Sequence, residues 1–321
     1  MKKALILGIK GQDGSLLAEL LLKKKYKVTG ISRKRSGDHN LKKLKIRKNL
    51  KILYFNYSDK KKMQNLLKKG DFDEIYFFAG QPLPNISNDV SLETLNSNII
   101  PVFNILLSIY NFNLKSKFFN ACSCEIFGIN NHKVNEKTIK KPVSVYGLSK
   151  LVSLELVKFF REKFKIKCCS GILFHHESMF RKNNFVIKKL VKEAVKIKKN
   201  KNKKIKKIKF GNTNVIKDWG WAPEYVSIMN KILNSRKIED YIICSGSSKS
   251  LNSVISYTFK LLNLNWKDFI IIDKNLKREN DIKFSRGDNN KLCKNLKIIP
   301  KYNIFNVINK LIEAEFQWTK R

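Results

Sequence analysis

The sequence predicts a doubly wound α/β fold of the Rossmann type, in which helices cover both faces of a parallel sheet, with a smaller mixed α/β part at the carboxyl end. Two observations predict this fold. Short β-rich apolar runs alternate with stretches of helical spacing through the first part of the chain. Glycines also punctuate the turn between the first run and the first helix. Strict alternation implies right-handed crossovers and parallel strands that are buried on both faces.

Apolar runs bounded by turn residues define the strands of this first part. We predict strands at Lys3–Gly8, Lys27–Ser32, Leu50–Phe55, Glu74–Ala79, Lys117–Ala121 and Lys167–Phe174. Apolar residues at helical spacing predict helices at Ser15–Lys25, Asp59–Lys68, Leu92–Asn111 and Val145–Phe164. Residues 1–174 are therefore expected to form a Rossmann-type domain.

After Phe174 the regular alternation gives way to loops and shorter elements. We expect a basic helix from Phe185, a short strand near Ile208 and a helix that is opened by Pro223. One more strand and two more helices are predicted at Tyr241–Cys244, Leu251–Leu262 and Ile304–Trp318. This second part, residues 175–321, is expected to close over the carboxyl ends of the sheet strands and to bind substrate there, with room for segments that cross back to the sheet.

The chain is strongly basic, with 66 Lys and Arg against 26 Asp and Glu and a formal net charge of +40. Such a charge on its own would indicate nucleic acid or an anionic membrane as the partner. The lysines, however, are spread through every segment, and the densest run, Lys196–Lys209, has no interleaved aromatic residues that could stack bases. This pattern favours a solvated surface over a nucleic-acid site.

The amino-terminal residues and the cysteines indicate the cellular compartment in which the protein is expected. The first apolar stretch, Ala4–Leu7, is too short for a signal peptide, and we expect no membrane span. The six cysteines lack the paired spacing of a zinc site, so free thiols and no metal are expected. We therefore expect a cytoplasmic protein.

Three glycines, Gly8, Gly11 and Gly14, stand at three-residue spacing between the first strand and the first helix. A diphosphate must approach bare backbone there and meet the N–H groups and the positive end of the helix. The loop therefore predicts a dinucleotide site. Arg33 and Arg35 follow the second strand, where an NAD-selective enzyme more often has an acid, so we predict NADP as the cofactor.

Tyr146 and Lys150 stand four residues apart at the start of a predicted helix, so both project from one face. A tyrosine that exchanges protons near neutral pH needs a lowered pKa, and a neighbouring ammonium group supplies the favourable charge. Ser123 and Glu125 follow the preceding strand at the edge where the cleft is expected. A carboxylate in that position, beside a Ser and a Tyr-Lys pair, is more often functional than a simple cap.

The glycine loop, the Tyr-x-x-x-Lys pair and the upstream hydroxyl together resemble the extended short-chain dehydrogenase/reductases. Within them, three tracts resemble the GDP-mannose 4,6-dehydratases: Gly11–Ser15, Gly171–Ser178 and Asp218–Gly220. The matching motifs extend from Gly8 to about Asp288, nearly the whole chain. The resemblance implies a GDP-sugar substrate, a homodimer or homotetramer, and neither a nucleic acid nor a membrane as partner.

The resemblance also implies a reaction and a role for each residue at a matching position. Hydride moves from sugar C4 to NADP, water is eliminated across C5 and C6, and the hydride returns to C6. Ser123 would hydrogen-bond the 4-hydroxyl and Tyr146 would deprotonate it. Glu125 would remove the C5 proton and help water leave from C6, and Lys150 would hold the ribose and tune Tyr146.

Further contacts follow from the same matching positions. The implied cofactor contacts, besides the glycines, the arginines and Lys150, are Gln12, Asp13, Asn56, Tyr57, Gln81, His176 and Arg181. The implied substrate contacts, besides Ser123, are Lys188, Lys217 and Arg278.

The chain departs from the family pattern at several positions. Lys10 replaces a Thr, Ser123 a Thr, His175 an Asn and Lys217 an Arg, and the loop at Ser36–Leu41 is shortened. His175 by itself is expected to be a core or surface histidine. The alternatives that stay open are a dehydratase, reductase or epimerase of another GDP-sugar such as a GDP-heptose, a nucleotide-sugar decarboxylase, and an inactive cofactor-binding assembly subunit.

Overall fold

A computed structural model describes residues 1–80, 88–199, 207–276 and 282–318. The strands of the first part are β1 (Lys3–Leu7), β2 (Lys27–Ser32), β3 (Lys51–Tyr54), β4 (Glu74–Phe77), β5 (Lys117–Ser123) and β6 (Cys168–Leu173). Its helices are α1 (Gln12–Lys23), α2 (His39–Lys43), α3 (Lys60–Gly70), α4 (Asn88–Asn98), α5 (Ile100–Asn111) and α6 (Val145–Phe164).

The second part consists of shorter elements. Its strands are β7 (His175–Glu177), β8 (Ile208–Phe210), β9 (Ile216–Trp221), β10 (Tyr241–Ile243), β11 (Ser248–Ser250), β12 (Ile270–Ile272) and β13 (Phe284–Ser285). Its helices are α7 (Val186–Lys199), α8 (Ala222–Leu233), α9 (Leu251–Leu261), α10 (Asn290–Leu296) and α11 (Ile304–Trp318). β7, β11, β12, β13, α2 and α10 were not predicted, because each is short and pairs or packs with residues distant in sequence. β9 was also missed, because Lys217, Asp218 and Gly220 interrupt its apolar run.

The main sheet has seven parallel strands in the order β10-β6-β5-β4-β1-β2-β3, which confirms the doubly wound prediction. Helices α1 and α8 bury Leu17 and Met229 on one face. On the other face α3 and α5 bury Met63 and Ile105. Because every inner strand is covered on both faces, these strands are buried along almost their whole length.

Two segments of the second part cross back to this sheet. β10 pairs with β6 through Tyr241 and Gly171, and α8 packs beside α1. The sheet is therefore completed by residues beyond 174. The remainder forms a separate layer, in which β7, β11 and β13 all pair with β9 and α7, α9 and α11 share a core around Trp219.

The predicted helix at Leu92–Asn111 is two helices, α4 and α5, with a break at Ile99. Pro101 lies in the first turn of α5, where its missing N–H costs nothing. By length and hydropathy alone the stretch Leu92–Asn111 would also qualify as a membrane span. However, 56% of it is buried within the fold, as is typical of a core helix.

Candidate active site

A cavity of about 540 Å³ opens at the carboxyl ends of β5 and β6, between the main sheet and the second part. Ser123, Glu125, Tyr146 and Lys150 all line it, so the structure brings together the four predicted catalytic residues. Parallel sheets characteristically bind ligands at this edge, because the loops that leave neighbouring strands meet there.

Ser123 and Glu125 lie where β5 ends in a short 3₁₀ turn, Cys124–Phe127. The Ser123 hydroxyl accepts a hydrogen bond from the Glu125 backbone N–H at 3.2 Å, which caps this turn. The start of α6 packs directly on the turn. A Cβ at Gly147 would lie 2.8 Å from the Glu125 carbonyl oxygen, so only glycine allows this approach. The packing fixes Tyr146 beside the serine and the carboxylate.

Tyr146 and Lys150 project from the first turns of α6. The Lys150 Nζ donates to the Ala121 carbonyl oxygen at 2.9 Å and lies 5.8 Å from the centre of the Tyr146 ring. Burial lowers the pKa of Lys150 to about 8.

The expectation that Tyr146 has a lowered pKa is not met in the protein alone. Burial raises the pKa of Tyr146 above its ordinary value, a hydrogen bond with Ser123 opposes this, and the charge of Glu125 adds to it. The reason is that a phenolate deep in the cavity loses hydration, while the Lys150 ammonium is itself desolvated and bonded to a carbonyl.

The glycine loop fits a dinucleotide. Gly8 has φ of +87°, and a Cβ there would lie 2.9 Å from the Ala79 backbone nitrogen. A Cβ at Gly14 would meet the Gly8 carbonyl oxygen well inside van der Waals contact, and one at Gly11 would lie 3.2 Å from it. Without side chains, the loop leaves the first N–H groups of α1 open to a diphosphate.

Gln12, Asp13 and His176 are bonded to one another across the base of the cavity. The Nε2 of His176 lies 3.0 Å from Asp13 Oδ1, and its Nδ1 lies 2.7 Å from the Phe174 carbonyl oxygen. Burial alone would raise the pKa of Asp13, but the charge and hydrogen bond of His176 hold it below its usual value. Ser178 donates to Gln12 Oε1 at 2.8 Å. These bonds tie the chain after β6 to the start of α1.

The loop after β2 carries the cations that were predicted to select NADP. Arg33 forms an exposed ion pair with Glu93 at 2.7 Å and lies over the Tyr57 ring. The Arg35 guanidinium lies 5.0 Å from the centre of the Tyr54 ring. Asn56 accepts a bond from the Ser58 N–H and so shapes the turn after β3.

Lys10, which the sequence marked only as a departure, organises this loop. Its Nζ donates to the carbonyl oxygens of Lys34, Arg35 and Ser36 at 2.8 to 3.0 Å. It also pairs with Asp38 at 3.3 Å. The loop that presents the arginines is thereby fixed to the glycine loop.

Of the predicted substrate contacts, Lys217 lies at the cavity and Lys188 does not. Lys217 lines the cavity. Lys188 does not belong to its described lining, because the side chain is buried and pairs with Glu315 of α11 at 2.9 Å. Lys188 lies in line with Val191 and Val195 on the apolar stripe of α7, a spacing that could have excluded it from the sequence alone.

The next residue, Lys189, lines the cavity instead and was missed. One residue turns a helix by about 100°, which carries Lys189 off the buried stripe. Its Nζ donates to the Lys209 carbonyl oxygen at 2.8 Å. Arg181 also lines the cavity, with its guanidinium 3.8 Å from the centre of the Phe185 ring. Gln81 and Arg278, two further predicted contacts, lie outside the described residues.

Fold and site together define an extended short-chain dehydrogenase/reductase: a Rossmann-type sheet, a glycine loop at its first turn, and a Ser-Tyr-Lys set at the end of the fifth strand. A family model described as GDP-mannose 4,6 dehydratase matches residues 5–311. The chain belongs to this family, as its motifs predicted.

Named relatives agree with the family match. GDP-mannose 4,6 dehydratase 1 of Arabidopsis thaliana is 31% identical over 100% of this chain and 91% of the relative. The Homo sapiens GDP-mannose 4,6 dehydratase is 28% identical over 98% of this chain and 91% of the relative.

Solved structures agree on the fold. The structure of dTDP-glucose 4,6-dehydratase from Bacillus anthracis matches with a TM-score of 0.85 at 18% identity, over 100% of this chain and 97% of that chain. A UDP-glucuronic acid 4-epimerase from Bacillus cereus matches with a TM-score of 0.84 at 20% identity, over 98% of this chain and 99% of that chain.

Proposed function

We propose that this protein is an NADP-dependent lyase that converts GDP-mannose to GDP-4-keto-6-deoxymannose. The observation that carries the proposal is the convergence of Ser123, Glu125, Tyr146 and Lys150 on one cavity beside a glycine loop that fits a dinucleotide. The names of relatives that span the whole chain supply the substrate.

The dinucleotide, held by the glycine loop and Lys150, would supply a reversible hydride acceptor, which the dehydration needs because C4 is oxidised first and C6 is reduced last. Tyr146 takes the proton of the sugar 4-hydroxyl, and Ser123 hydrogen-bonds the same oxygen. The Lys150 ammonium, 5.8 Å from the Tyr146 ring, stabilises the phenolate that forms.

Glu125 performs the elimination. Its carboxylate takes the proton from C5 as that C–H bond breaks, and gives a proton to the C6 oxygen as water leaves. A reductase or epimerase that acts only at C4 needs no such group. The position of Glu125 beside Ser123 and Tyr146 in the cavity therefore supports a dehydratase.

NADP is the proposed cofactor because cations surround the end of β2. The Arg33–Glu93 pair is exposed, and exposed pairs contribute only about 0–1 kcal/mol, so a 2′-phosphate can displace Glu93. Replacement of both Arg33 and Arg35 with alanine should weaken NADP binding more than tenfold and leave NAD binding within about threefold, since a charge-assisted hydrogen bond contributes about 1.5–3 kcal/mol. Titration of both dinucleotides measures this, and equal losses for the two would contradict it.

The nucleotide diphosphate is assigned to the cationic wall of the second part. Lys217 and Lys189 line that side of the cavity, and their positive charges suit a ligand that carries two negative charges. Long cationic side chains are flexible and constrain the shape of the sugar little. We therefore assign the specificity for mannose to the catalytic residues on the sheet side of the cavity.

A homodimer or homotetramer and a cytoplasmic location complete the proposal. Exposed aromatic residues on α5 and α6, namely Phe103, Tyr110 and Phe159, support a self-association surface there. Five of the six cysteines are buried free thiols, which supports a reducing compartment.

Incubation with GDP-mannose, GDP-heptoses and UDP- and dTDP-hexoses, read by mass spectrometry, tests the activity. We expect loss of one water from GDP-mannose that requires NADP. Exclusive turnover of a GDP-heptose would reassign the substrate, and loss of carbon dioxide from a UDP-uronic acid would make the protein a decarboxylase. Absence of any bound dinucleotide would support a non-catalytic assembly subunit.

A further inference from the structure

His175 begins β7, just after the end of β6. β6 pairs with β5, the strand that leads to Glu125. In the parallel pair of β5 and β6, Ser123 lies opposite Leu173. Glu125 and His175 each follow two residues beyond that pair, so the two chain segments leave the sheet side by side. Both side chains are half-buried and both line the cavity.

The direction of the His175 side chain follows from strand alternation. Successive side chains of a strand point to opposite faces. His176 points toward Asp13, 3.0 Å away, and its ring lies 4.8 Å from that of Tyr225. His175 therefore faces the other way, with its ring 6.3 Å from that of Trp219 on β9.

A second, smaller pocket confirms that Glu125 and His175 share surroundings. Glu125, His175 and Lys217 line this pocket as well as the main cavity. The imidazole of His175 therefore lines the same two pockets as the Glu125 carboxylate, which performs the elimination.

The other charged and titratable groups around this site come from several elements. They are Tyr146 of α6, Cys124 of the 3₁₀ turn, Lys217 and the buried Asp218 of β9, Arg286 after β13, and His132 of an exposed loop. Burial raises the pKa of both Tyr146 and Cys124, and the charge of Glu125 adds to the rise in each case.

His175 and His176 both line the main cavity, and a histidine side chain ordinarily titrates near neutral pH. His176 is bonded to Asp13, so His175 is the imidazole on the side of Glu125. Lys150, whose pKa burial lowers to about 8, is a further group of this cavity that titrates in that range.

We infer that His175 is a positioning residue for Glu125: the neutral imidazole orients the carboxylate as a base, and the protonated imidazole holds it ionised and makes it a weaker base. This inference rests on the proposed dehydration. In the elimination Glu125 gains a proton as the C5–H bond breaks and gives it to the C6 oxygen as the C6–O bond breaks. The proton that Tyr146 took from the 4-hydroxyl goes to C5 when the hydride returns to C6. His175 ends the cycle with the protons that it began with.

We therefore expect kcat to fall toward acid pH as His175 becomes protonated. His175 and Glu125 titrate as a coupled pair. The acid limb of the pH profile of kcat is therefore assigned to a residue by its response to substitution of that residue. His175→Asn keeps a neutral N–H donor and removes the ionisation. It should keep kcat within about threefold near pH 8 and shift the acid limb at least one pH unit lower.

His175→Leu removes the donor altogether. Its kcat near pH 8 should fall by about 10–10² while KM changes less than about threefold, because positioning of a general base affects the chemical step. Rescue of kcat by Asn but not by Leu distinguishes positioning from simple packing. Equal loss in both variants would contradict the inference.

A measurement without turnover separates this inference from the proposed function. The imidazole signals of the cofactor-bound protein are followed by NMR across pH, with His175→Asn identifying the His175 signal among four histidines. A carboxylate nearby favours the imidazolium, so Glu125→Gln should lower the titration midpoint of His175 by at least about one pH unit.

The outcomes of the two measurements are distinct. An unchanged midpoint in Glu125→Gln overturns the inference, whatever the activity. An acid limb that survives in His175→Asn also overturns it. A shifted midpoint in a protein that dehydrates no GDP-sugar supports the contact and refutes the substrate assignment.

Discussion

The two walls of the cavity are built by different means. The sheet side consists of close backbone contacts and buried, hydrogen-bonded side chains: Gly14 against Gly8, Gly147 against Glu125, and Lys150 on the Ala121 carbonyl. The second part contributes long cationic side chains, Lys189 and Lys217, from a helix and a short strand. Chemistry therefore depends on exact geometry on one wall, and binding depends on charge on the other. Changes to the first should reduce kcat or cofactor binding, and changes to the second should raise KM.

Removal of the carboxylate on the sheet side should have the largest effect. Glu125→Gln keeps the size and hydrogen bonding but removes the base, so turnover should fall by about 10²–10⁴. Oxidation at C4 should still proceed, and reduced cofactor should accumulate as a near-ultraviolet absorbance. Tyr146→Phe, the matched control, should give no such signal because the first oxidation is blocked. Turnover at the unmodified rate would show that Glu125 is not the acid/base.

A single added methyl group in the glycine loop comes next. In Gly14→Ala, the Cβ meets the Gly8 carbonyl oxygen, so we expect dinucleotide affinity to fall by about 100-fold as the loop moves away from the helix. Gly37→Ala is the control: φ of +89° makes alanine strained, at about 1 kcal/mol, but its Cβ would contact nothing within 4 Å. Fluorescence titration measures affinity, and circular dichroism checks folding. Normal affinity in Gly14→Ala would show that the loop adapts.

Loss of one cation from the opposite wall should act on binding. Lys217→Met is expected to raise KM about tenfold and to change kcat less than about threefold, since a charge-assisted bond to phosphate contributes about 1.5–3 kcal/mol. Lys231→Met removes the same charge from an exposed position of α8. A similar rise in KM in both variants would mean that the overall field of the +40 charge attracts the substrate, and that Lys217 makes no specific contact.

The last expected effect is on stability alone, with no change in catalysis, and concerns a buried carboxyl behind the cationic wall. Burial raises the pKa of Asp218 from 3.8 to about 6, although its Oδ1 accepts the Ser245 N–H at 2.8 Å. A raised pKa in the folded state means that the stabilisation is fully present below the unfolded pKa and is lost as pH rises through about 6. Because one pKa unit corresponds to about 1.36 kcal/mol, the shift from 3.8 to about 6 corresponds to a loss of about 3 kcal/mol in the free energy of unfolding.

Asp218→Asn removes this titration and keeps an acceptor for Ser245. The free energy of unfolding of the variant, relative to the unmodified protein, should therefore increase between about pH 5 and about pH 7, as measured by chemical denaturation. Other carboxyl groups affect both proteins equally and cancel in the difference. A constant difference across this range would show that Asp218 titrates normally in the folded protein.

The contrast between the two walls also explains which predictions were accurate. The bounds of α6 and α11 match the predicted Val145–Phe164 and the predicted Ile304–Trp318. Both are long amphipathic helices whose apolar spacing is set by their own residues. The strands β7, β9 and β13 escaped prediction, because each is stabilised by a partner distant in the chain, and β7 and β13 are also short.

The sequence by itself determined the parallel sheet, through the alternation of strands and helices along the chain. It also determined the glycine loop and the pairing of Tyr146 with Lys150, because each depends on spacing within one turn or one helix. Only the tertiary structure decided that Lys189 lines the cavity, that Lys10 secures the loop after β2, and that His175 and Glu125 line the same two pockets. These features depend on contacts between residues far apart in the chain. Local propensity carries no information about such contacts, because the free energy that selects them comes from burial and charge in the assembled fold.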